Sequence, residues 1–434
     1  MTHGSAAGDR SPGDFDVVVV GAGIAGLVAA VAAVEGGVRV ALLDSGSPGG
    51  RAKTTVRNGY HLNTGPHALF LAGHLRPFLA SRGIEPVGGL ADASSVRLLR
   101  DGTLWPLAAT LGSVARTKLL SPRSRLRLLS LMARLPRMDT AAFVGRTWAD
   151  WLANEPDDVA GVLGMFVRTG TYVNAAESFD AGAALDQFKL GLAGVRYIDN
   201  GWQTIVDALV ARFNATGGTL FAGRTVTALR SDGDVQIDTS AGAISARSAI
   251  LAGMRPDAVE RITASPVRGR ADAGGTVHAS ALDLALGRVH NGLVLGIDQP
   301  VYLSPHAPTA RLAPEGCGLV SLLRYTPDGE VDGPSPDAAR LRLLALATQA
   351  GIGADDIVDE RYMHRLVVAN SFPTARCGGL AGRPAVDAVD LPGVFIAGDW
   401  VGPQFQLADA ASSSGEAASR RALAHVAGKR RVGV

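Results

Sequence analysis

The chain has 434 residues and a net charge of +2 at pH 7, so it is long enough for two domains with a large core. The nearly balanced charge gives no overall positive field that would favour nucleic-acid binding, and no nucleic-acid partner is predicted. Its two cysteines, Cys317 and Cys377, give neither a disulfide framework nor metal-ligand spacing, and no metal site is predicted. Residues 1–14 are small and polar without an apolar h-region, which predicts a disordered leader and a cytoplasmic protein.

The first predicted element is a strand, helix and strand unit. Residues 16–20 are an apolar run typical of a buried parallel strand, residues 24–34 are rich in Ala and Val, and residues 38–43 form a second apolar run. The uncharged stretch 17–34 also has the length of a membrane span. Its three early glycines and its acidic boundaries favour the βαβ interpretation.

Three glycines follow the first strand with the GxGxxG spacing of a dinucleotide cradle. Gly21 allows the tight turn, Gly23 lets the backbone approach a pyrophosphate, and Gly26 lets the helix pack closely against the strand. The free N–H groups at the start of the helix would face the phosphates. Asp44 ends the second strand, 23 residues after Gly21, where its carboxylate would accept hydrogen bonds from the adenosine ribose. A carboxylate there argues against a 2′-phosphate ligand.

Two later segments extend this site. Residues 49–70 read GGRAKTTVRNGYHLNTGPHALF, in which the paired glycines allow close backbone approach and Arg51 can neutralise a pyrophosphate or lie beside a flavin. Residues 393–418 read GVFIAGDWVGPQFQLADAASSSGEAA, a strand that ends in Asp399 and leads into a helix. The N-terminal and C-terminal segments are therefore both predicted to contact one ligand.

Together these motifs resemble the large flavoprotein family that contains phytoene desaturase-like enzymes, protoporphyrinogen oxidase and the monoamine oxidases. The resemblance covers the FAD-binding parts, about half of the chain. It implies an α/β fold with a Rossmann-like FAD-binding domain, in which a mostly parallel sheet is extended by a β-meander. A mixed sheet-and-helix substrate domain is inserted, so the domains are discontinuous in sequence. Non-covalent FAD is implied, because the C-terminal segment has no cysteine for attachment.

The resemblance also assigns contacts to residues of this chain. In the family, the segment matching residues 65–68 runs along the isoalloxazine ring, and a residue matching Asp399 accepts from the ribityl hydroxyls. The helix that starts around residues 407–411 would point its positive end at the flavin pyrimidine edge, and Asp409 is an alternative cap for that helix. The predicted cofactor-binding residues are Gly21, Ala22, Gly23, Ile24, Ala25, Gly26, Asp44, Ser45, Gly50, Arg51, Gly65, Pro66, His67, Ala68, Val226, Gly398, Asp399, Leu407, Ala408 and Ala411.

The remaining elements set the domain boundaries. Residues 202–213 have a helical pattern, and residues 218–252 alternate with period two between turn signals, which matches the family's β-meander with Val226 near the adenine. The predicted FAD-binding domain comprises 14–68, 196–264 and 386–425. The predicted substrate-binding cap domain comprises 69–195 and 265–385, and the disordered tails are 1–13 and 426–434.

One stretch of the cap, residues 113–138, holds seven basic residues and no acidic one. Leu126, Leu129, Met132 and Leu135 would form one apolar stripe, which predicts a basic amphipathic helix. Three interpretations stay open for it: a cap helix with a solvated arginine face, a peripheral membrane contact suited to a lipophilic substrate, and a surface for a protein partner.

Candidate reacting groups are few. His67 would lie near the ring face, where an imidazole could move a proton during substrate oxidation, although a structural hydrogen bond is the ordinary role. Trp400 follows Asp399 and would line the substrate cavity or pack in the core. Arg168, Tyr172 and Tyr325 are further candidates for the cavity wall only.

Departures from the family narrow the function. The position of the tyrosine in the amine-oxidase cage corresponds to Leu407, and the chain has no lysine between Lys189 and Lys429 to hold a water beside the flavin. The predicted function is therefore FAD-dependent dehydrogenation of a lipophilic or secondary-metabolite substrate to form C=C or C=N, with dioxygen or another acceptor reoxidising the flavin. The alternatives are an amine or amino-acid oxidase, a redox-neutral isomerase or dehydroxylase, and a non-catalytic prenyl-binding relative.

Overall fold

The computed structural model describes residues 15–91, 96–107, 114, 117–270 and 273–432. The predicted tail 1–13 and residues 113, 115 and 116 of the basic stretch lie outside the described residues. The strands are β1 (Phe15–Val20), β2 (Val40–Asp44), β3 (Thr54–Arg57), β4 (Tyr60–Asn63), β5 (Leu69–Phe70), β6 (Gly88–Leu90), β7 (Val96–Arg100), β8 (Thr103–Pro106), β9 (Val195–Ile198), β10 (Thr219–Ala222), β11 (Val226–Asp232), β12 (Asp234–Thr239), β13 (Gly242–Ala252), β14 (Val277–Leu286), β15 (Leu293–Gly296), β16 (Val301–Ala307), β17 (Gly318–Tyr325), β18 (Ile357–Ala369) and β19 (Val394–Ala397).

The α-helices are α1 (Ile24–Glu35), α2 (Leu75–Ala80), α3 (Pro122–Arg134), α4 (Trp148–Leu152), α5 (Asp157–Thr171), α6 (Ala181–Leu192), α7 (Gln203–Ala215), α8 (Pro256–Thr263), α9 (Pro336–Gln349) and α10 (Leu407–Val432). Within the described ranges, none of these helices combines the length and the apolar character needed to cross a membrane.

The first large sheet has the order β10-β2-β1-β13-β12-β11, and β19 pairs with β13. Strands β10, β2, β1, β13 and β19 run parallel, whereas β11, β12 and β13 form an antiparallel meander. The long strand β13 joins the two parts, because its first half pairs with β12 and its second half with β1 and β19. The carboxyl ends of β1, β2 and β19 lie at one edge, where open parallel sheets bind ligands.

The second large sheet is mixed and has the order β18-β14-β17-β16-β15-β7-β8. Its strands come from residues 96–106 and 277–369, whereas those of the first sheet come from 15–44, 219–252 and 394–397. Two smaller sheets, β3-β4 and β5-β9-β6, lie between these segments in sequence. The structure therefore confirms the predicted fold class, a Rossmann-like sheet with a meander and a discontinuous mixed domain.

Helix α1 is the centre of the first core. Ten of its twelve residues are buried, and it contacts the parallel sheet, α7 and α10. A helix that is covered on several sides needs no polar face, which explains why its sequence is uniformly apolar.

One predicted boundary was wrong. Helix α10 continues to Val432, so residues 426–432 are helical rather than part of a disordered tail; Ala418, Ala422 and Val426 recur at four-residue spacing and are buried against the first core. Within the basic stretch, helix α3 begins at Pro122, because the Ser121 side chain caps it and proline is well suited to the first turn.

The apolar stripe predicted for α3 was also displaced. Its buried residues are Leu128, Leu131 and, just beyond the helix, Leu135, whereas Leu126 is 72% exposed. Leu129 and Met132 are half-buried at the edge of this stripe. Leu131 and Leu135 follow Leu128 at a three-residue and then a four-residue step, so all three face the core, and Leu126 lies on the other side of the helix.

Candidate active site

The glycine turn after β1 has the shape of a phosphate cradle. Gly21 has φ of +101°, and a Cβ there would lie 2.3 Å from the Ala252 carbonyl oxygen. A Cβ on Gly26 would lie 1.7 Å from the carbonyl oxygen of Gly21. Gly23, by contrast, faces open space, and no side chain caps α1 at this residue. The first N–H groups of α1 are therefore left for an anion.

Asp44 joins the end of β2 to this turn through hydrogen bonds. Its carboxylate accepts hydrogen bonds from the backbone N–H groups of Ala22, at 2.7 Å, and Gly46, at 2.8 Å. Each carboxylate oxygen has a second lone pair, and Asp44 lines the central cavity together with Ser45. The residue can therefore hold the turn and still accept from ribose hydroxyls.

Asp399, after β19, is joined to two distant segments. Its carboxylate accepts from Nη1 of Arg51 at 2.9 Å, and from the backbone N–H and the side-chain amide of Asn370, each at 2.9 Å. Burial alone would raise the pKa of Asp399, but the charge and hydrogen bond of Arg51, together with Asn370, outweigh it and hold the pKa below its usual value. The carboxylate is consequently ionised and fixed in place.

The turn of residues 65–68 brings His67 into the cavity. Nδ1 of His67 lies 2.9 Å from the Gly65 carbonyl oxygen, so in the neutral ring Nδ1 carries the proton, because a carbonyl can only accept. Burial, and to a lesser degree the charge of Arg51, lower the pKa of His67. The ring also meets Trp202 edge-on at a centroid distance of 5.1 Å. The neutral imidazole, with Nε2 unprotonated, is therefore the form present at neutral pH.

Helix α5 contributes a tyrosine to the same turn. Tyr172 ends α5 in the left-handed conformation, with φ of +63°, and its hydroxyl donates to the Pro66 carbonyl oxygen at 3.1 Å. Its ring lies 6.0 Å from the ring of Tyr325. Tyr172 thus connects the substrate domain to the turn that bears His67.

The start of α10 forms another wall. Leu407, Ala408 and Ala411 line the cavity, and Leu407 has φ of +55°, an unfavourable conformation for a leucine. Buried Arg383 fixes the loop before it by donating to the carbonyl oxygens of residues 399, 402, 404 and 405. The backbone of this wall is therefore held by the protein itself.

Asp409 was a predicted cap of its own helix, but its carboxylate contacts a different helix. Its carboxylate accepts from the backbone N–H of Leu75 at 2.9 Å, at the start of α2. Burial, only partly offset by these backbone hydrogen bonds, raises the pKa of Asp409 to about 6. A cavity-lining carboxyl group that titrates near neutral pH is thus present beside the predicted flavin position.

Three other candidates do not line the cavity. Trp400 is 2% exposed, packs in the core below the parallel sheet and donates through Nε1 to the Met254 carbonyl oxygen at 2.8 Å. Arg168 donates to the Gly296 carbonyl oxygen at 2.7 Å, with its guanidinium 5.7 Å from the Tyr325 ring centroid. Trp400 thus takes the core position that was one of its two predicted alternatives, Arg168 and Tyr325 are not among the residues that line the cavity, and Tyr172 does line it.

A single cavity of about 1130 Å³ connects all these groups, which exceeds the volume of about 300–1,000 Å³ that is common for one small-molecule site. One end is formed by Asp44 and residues 224–226, and the middle by the glycine turn, Arg51 and Asp399. The far arm is apolar, and its wall includes Leu98, Leu119, Leu120, Leu128, Met132, Val162, Phe166, Phe188, Leu192 and Leu295. The other predicted cofactor residues line the cavity except Ala22 and Gly26, which are buried behind the turn.

Several site residues were missed from the sequence. Asn370 follows a strand of the substrate domain, and Tyr197 and Tyr302 reach the cavity from β9 and β16. Arg224 covers the ring of Phe221 at 4.2 Å at the nucleotide end. A polar residue directly after a strand was the available signal for Asn370, but its partner Asp399 is 29 residues away.

Comparisons with known proteins agree with this geometry. Residues 19–81 match the family model of NAD(P)-binding Rossmann-like domains. A stretch of 99 residues is 35% identical to hydroxyneurosporene desaturase of Rhodobacter capsulatus, which covers 23% of this chain. The match spans 20% of the desaturase, about a fifth of that relative's length.

Solved structures match over nearly the whole chain. An oxidoreductase from Methanosarcina mazei matches with a TM-score of 0.73 and 16% identity, over 94% of this chain and 100% of that chain. Putrescine oxidase bound to putrescine matches with a TM-score of 0.74 and 18% identity, over 94% of this chain and 99% of that chain. Cyclohexylamine oxidase from Brevibacterium oxydans matches with a TM-score of 0.67 and 18% identity, over 95% of this chain and 100% of that chain. At these identities the shared property is the fold. The matches show that this chain shares the fold of these oxidoreductases, and one segment of it resembles a desaturase.

Proposed function

We propose that the chain is an FAD-dependent oxidoreductase that dehydrogenates a lipophilic substrate and leaves a new C=C or C=N bond. The observation that carries this proposal is the continuity of the cavity, which joins the dinucleotide cradle to an apolar arm past the turn that bears His67. The desaturase match and the fold of the amine oxidases support the same class of reaction.

The residues present fit FAD. The uncapped start of α1 and the open space at Gly23 suit the pyrophosphate, and Asp44 keeps free lone pairs for the adenosine ribose. Residues 224–226 lie at the adenine end, and the ionised Asp399 would accept from the ribityl hydroxyls. FAD, when bound, supplies the acceptor for a hydride equivalent from the substrate.

His67 is the proposed proton acceptor. Its Nδ1 is committed to the Gly65 carbonyl oxygen, so the neutral ring has its basic lone pair on Nε2. Because burial lowers the pKa of His67, the ring is available as a base at neutral pH. The proton that leaves the substrate would go to Nε2, and dioxygen or another acceptor would take the electrons in the second half of the cycle.

The apolar arm indicates the kind of substrate. Its leucine, valine and phenylalanine side chains exclude water and stabilise an apolar molecule in proportion to the area it buries. Helix α3 turns Leu128 to this arm, while Arg123, Leu126 and Arg134 on the helix and Arg137 in the turn that follows it are exposed on the outer side. We propose that this outer side contacts an anionic membrane surface, from which a lipophilic substrate would enter.

An amine or amino-acid oxidase is the second candidate, favoured by the likeness to two solved amine oxidases. Leu407 stands where the cage tyrosine would be, and its aliphatic side chain cannot stabilise a cationic amine as an aromatic ring does. The desaturase interpretation therefore comes first.

The first test is an absorbance spectrum of the purified protein before and after acid precipitation. We expect a yellow protein that releases free FAD, and anaerobic bleaching when isoprenoid substrates are added. Bleaching by putrescine or cyclohexylamine instead would favour the amine oxidase candidate. Colourless protein that takes up no FAD would contradict both.

A further inference from the structure

Strand β16 presents a row of polar side chains on one face. Tyr302, Ser304 and His306 alternate with Leu303 and Pro305, so the three polar residues point to the same side of the sheet. All three are buried, at 7%, 0% and 2% exposure. Buried polar groups are normally hydrogen-bonded, so each of these needs a partner.

The polar row continues across the mixed sheet. Ser304 is the cross-strand neighbour of Ser321, whose hydroxyl donates to Asp283 Oδ1 at 2.7 Å. The guanidinium of Arg361 donates to Asp283 Oδ2 at 2.6 Å and to the carbonyl oxygens of Leu62 and Asn63. These carbonyls lie just before the turn that bears His67. The row therefore fixes that turn to the substrate domain.

Tyr197 completes the inner part of the row. Its hydroxyl lies 2.8 Å from Oγ of Ser304, a well-formed hydrogen bond, and its ring stacks on His306 at a centroid distance of 4.3 Å. Burial, and to a smaller extent the charge of His67, lower the pKa of His306 to about 3. His306 is thus a neutral ring, and this end of the row has no net charge.

Tyr302 makes the longest of these contacts. Its hydroxyl lies 3.4 Å from Nε2 of His306, compared with 2.8 Å between the hydroxyls of Tyr197 and Ser304, with which the Tyr302 hydroxyl also interacts. A phenol has one hydrogen to donate, and this long contact leaves it able to turn to a ligand in the cavity. Tyr302 lines the cavity, whereas Ser304 and His306 lie behind it. The phenol is also within electrostatic reach of Tyr172, the residue bonded to the Pro66 carbonyl oxygen.

We propose that the Tyr302 hydroxyl binds an uncharged oxygen-bearing group, a hydroxyl or a carbonyl, on an otherwise apolar substrate. This inference rests on the proposed function and adds the substrate's polar group to it. The groups that face the Tyr302 hydroxyl, which are Tyr197, Ser304 and the neutral His306, carry no charge, so a carboxylate or ammonium bound there would have no counter-charge within this row. The oxygen would lie on the side of Tyr172, whose hydroxyl donates to the Pro66 carbonyl oxygen in the turn that bears His67.

The test measures the binding of matched probes to the FAD-loaded protein, with the change in flavin absorbance as the signal. The probes are 1-dodecanol, 2-dodecanone and dodecane, which share an apolar chain. Tyr302→Phe keeps the ring and removes the hydroxyl, and Tyr362→Phe is the matched control, because Tyr362 lies on β18 outside the cavity and bonds His364 at 3.0 Å.

We expect Tyr302→Phe to weaken binding of the alcohol or the ketone about fivefold, the effect of one net hydrogen bond, and to leave dodecane unchanged. Comparing each probe between variants cancels the different cost of taking the probes out of water. If Tyr302→Phe weakens neither oxygenated probe more than dodecane, the proposal is overturned. FAD content and melting temperature, measured for each variant, separate this result from misfolding and from failure of the proposed function.

Discussion

Asp399 and Asn370 lie 29 positions apart and are joined by two hydrogen bonds of 2.9 Å, one from the backbone N–H and one from the side-chain amide of Asn370. Asn370 follows β18 of the mixed sheet, and Asp399 follows β19 of the parallel sheet. This pair connects the two sheets at the point where the proposed flavin would lie. The strength of FAD binding should therefore depend on a residue outside the nucleotide-binding segments.

Replacing Asn370 with Asp tests this link. The new carboxylate would face Asp399 at hydrogen-bonding distance and replace a donor by a like charge, which should weaken FAD binding by about 1–3 kcal/mol at pH 8. Lowering the pH should restore part of the affinity, because a protonated carboxyl group can donate again. The measurement is FAD titration by fluorescence quenching between pH 5 and 8, with Asn58→Asp in an exposed turn as control. Equal affinities of the two variants would contradict the link.

Alanine substitutions at two glycines of the cradle should affect different properties, stability in one case and FAD affinity in the other. Gly26→Ala would place a Cβ 1.7 Å from a backbone oxygen, so we expect a loss of at least about 3 kcal/mol in the free energy of unfolding. Gly23→Ala meets nothing within 4 Å and has an ordinary φ of −78°, so stability should be unchanged while FAD binds more weakly. Denaturant melts and FAD titrations measure the two effects. Full FAD affinity in Gly23→Ala would remove the assigned pyrophosphate contact.

His67→Gln keeps a hydrogen-bond donor for the Gly65 carbonyl but has no titratable base. We expect FAD to remain bound and the rate of anaerobic flavin reduction to fall about 10²- to 10⁴-fold. Because the pKa of His67 is lowered, the wild-type rate should stay constant as the pH falls through the ordinary imidazole value of 6.5 and decline only below it. Stopped-flow reduction measures this, with the exposed His364→Gln as control. An unchanged rate in His67→Gln would exclude His67 as the base.

The parts of the site that follow one another in sequence were predictable, and the parts that depend on side-chain direction were not. The glycine turn and Asp44 are set by a strand, turn and helix with fixed geometry. For Trp400 the choice between the cavity and the core stayed open, because a strand end alone does not say on which side of the sheet the next side chain lies. Leu126 was misplaced because a stripe with three-residue steps can be drawn on more than one side of a short helix.

The sequence also could not predict which residues far apart in the chain contact each other. Asp409 was assigned to its own helix because acidic residues are common in a first turn, but the structure pairs it with α2, more than 300 residues earlier. Arg361 and Asp283 look like surface charges on alternating strands until β14 and β18 are placed side by side. The first contact depends on how segments far apart in sequence pack together, and the second depends on the order of the strands within the mixed sheet.

The outer side of α3 should bind anionic membranes. Reversing the charge of Arg123, Arg134 and Arg137 to Glu should weaken sedimentation with phosphatidylserine vesicles by about 1 kcal/mol or more per residue, because each positive charge near such a surface contributes about that much. The control reverses Arg230, Arg255 and Arg268, which are exposed arginines outside α3. Equal loss of binding in both triple variants, or no binding of the wild type, would contradict a docking surface on α3.

Asp409 should make stability depend on pH. Burial raises its pKa from 3.8 to about 6 in the folded protein, so this carboxyl group favours folding while it is protonated and loses that contribution as the pH rises through 6. Asp409→Asn stays neutral and can still accept from the Leu75 backbone N–H through its amide oxygen. We therefore expect the variant to be more stable than the wild type at pH 8, by up to about 3 kcal/mol, and to differ little at pH 4. Denaturant melts of the FAD-free protein at both pH values measure the difference, with the exposed Asp390→Asn as control. A stability difference that does not change with pH would show that the pKa of Asp409 is the same in the folded and the unfolded protein, which would contradict the raised value.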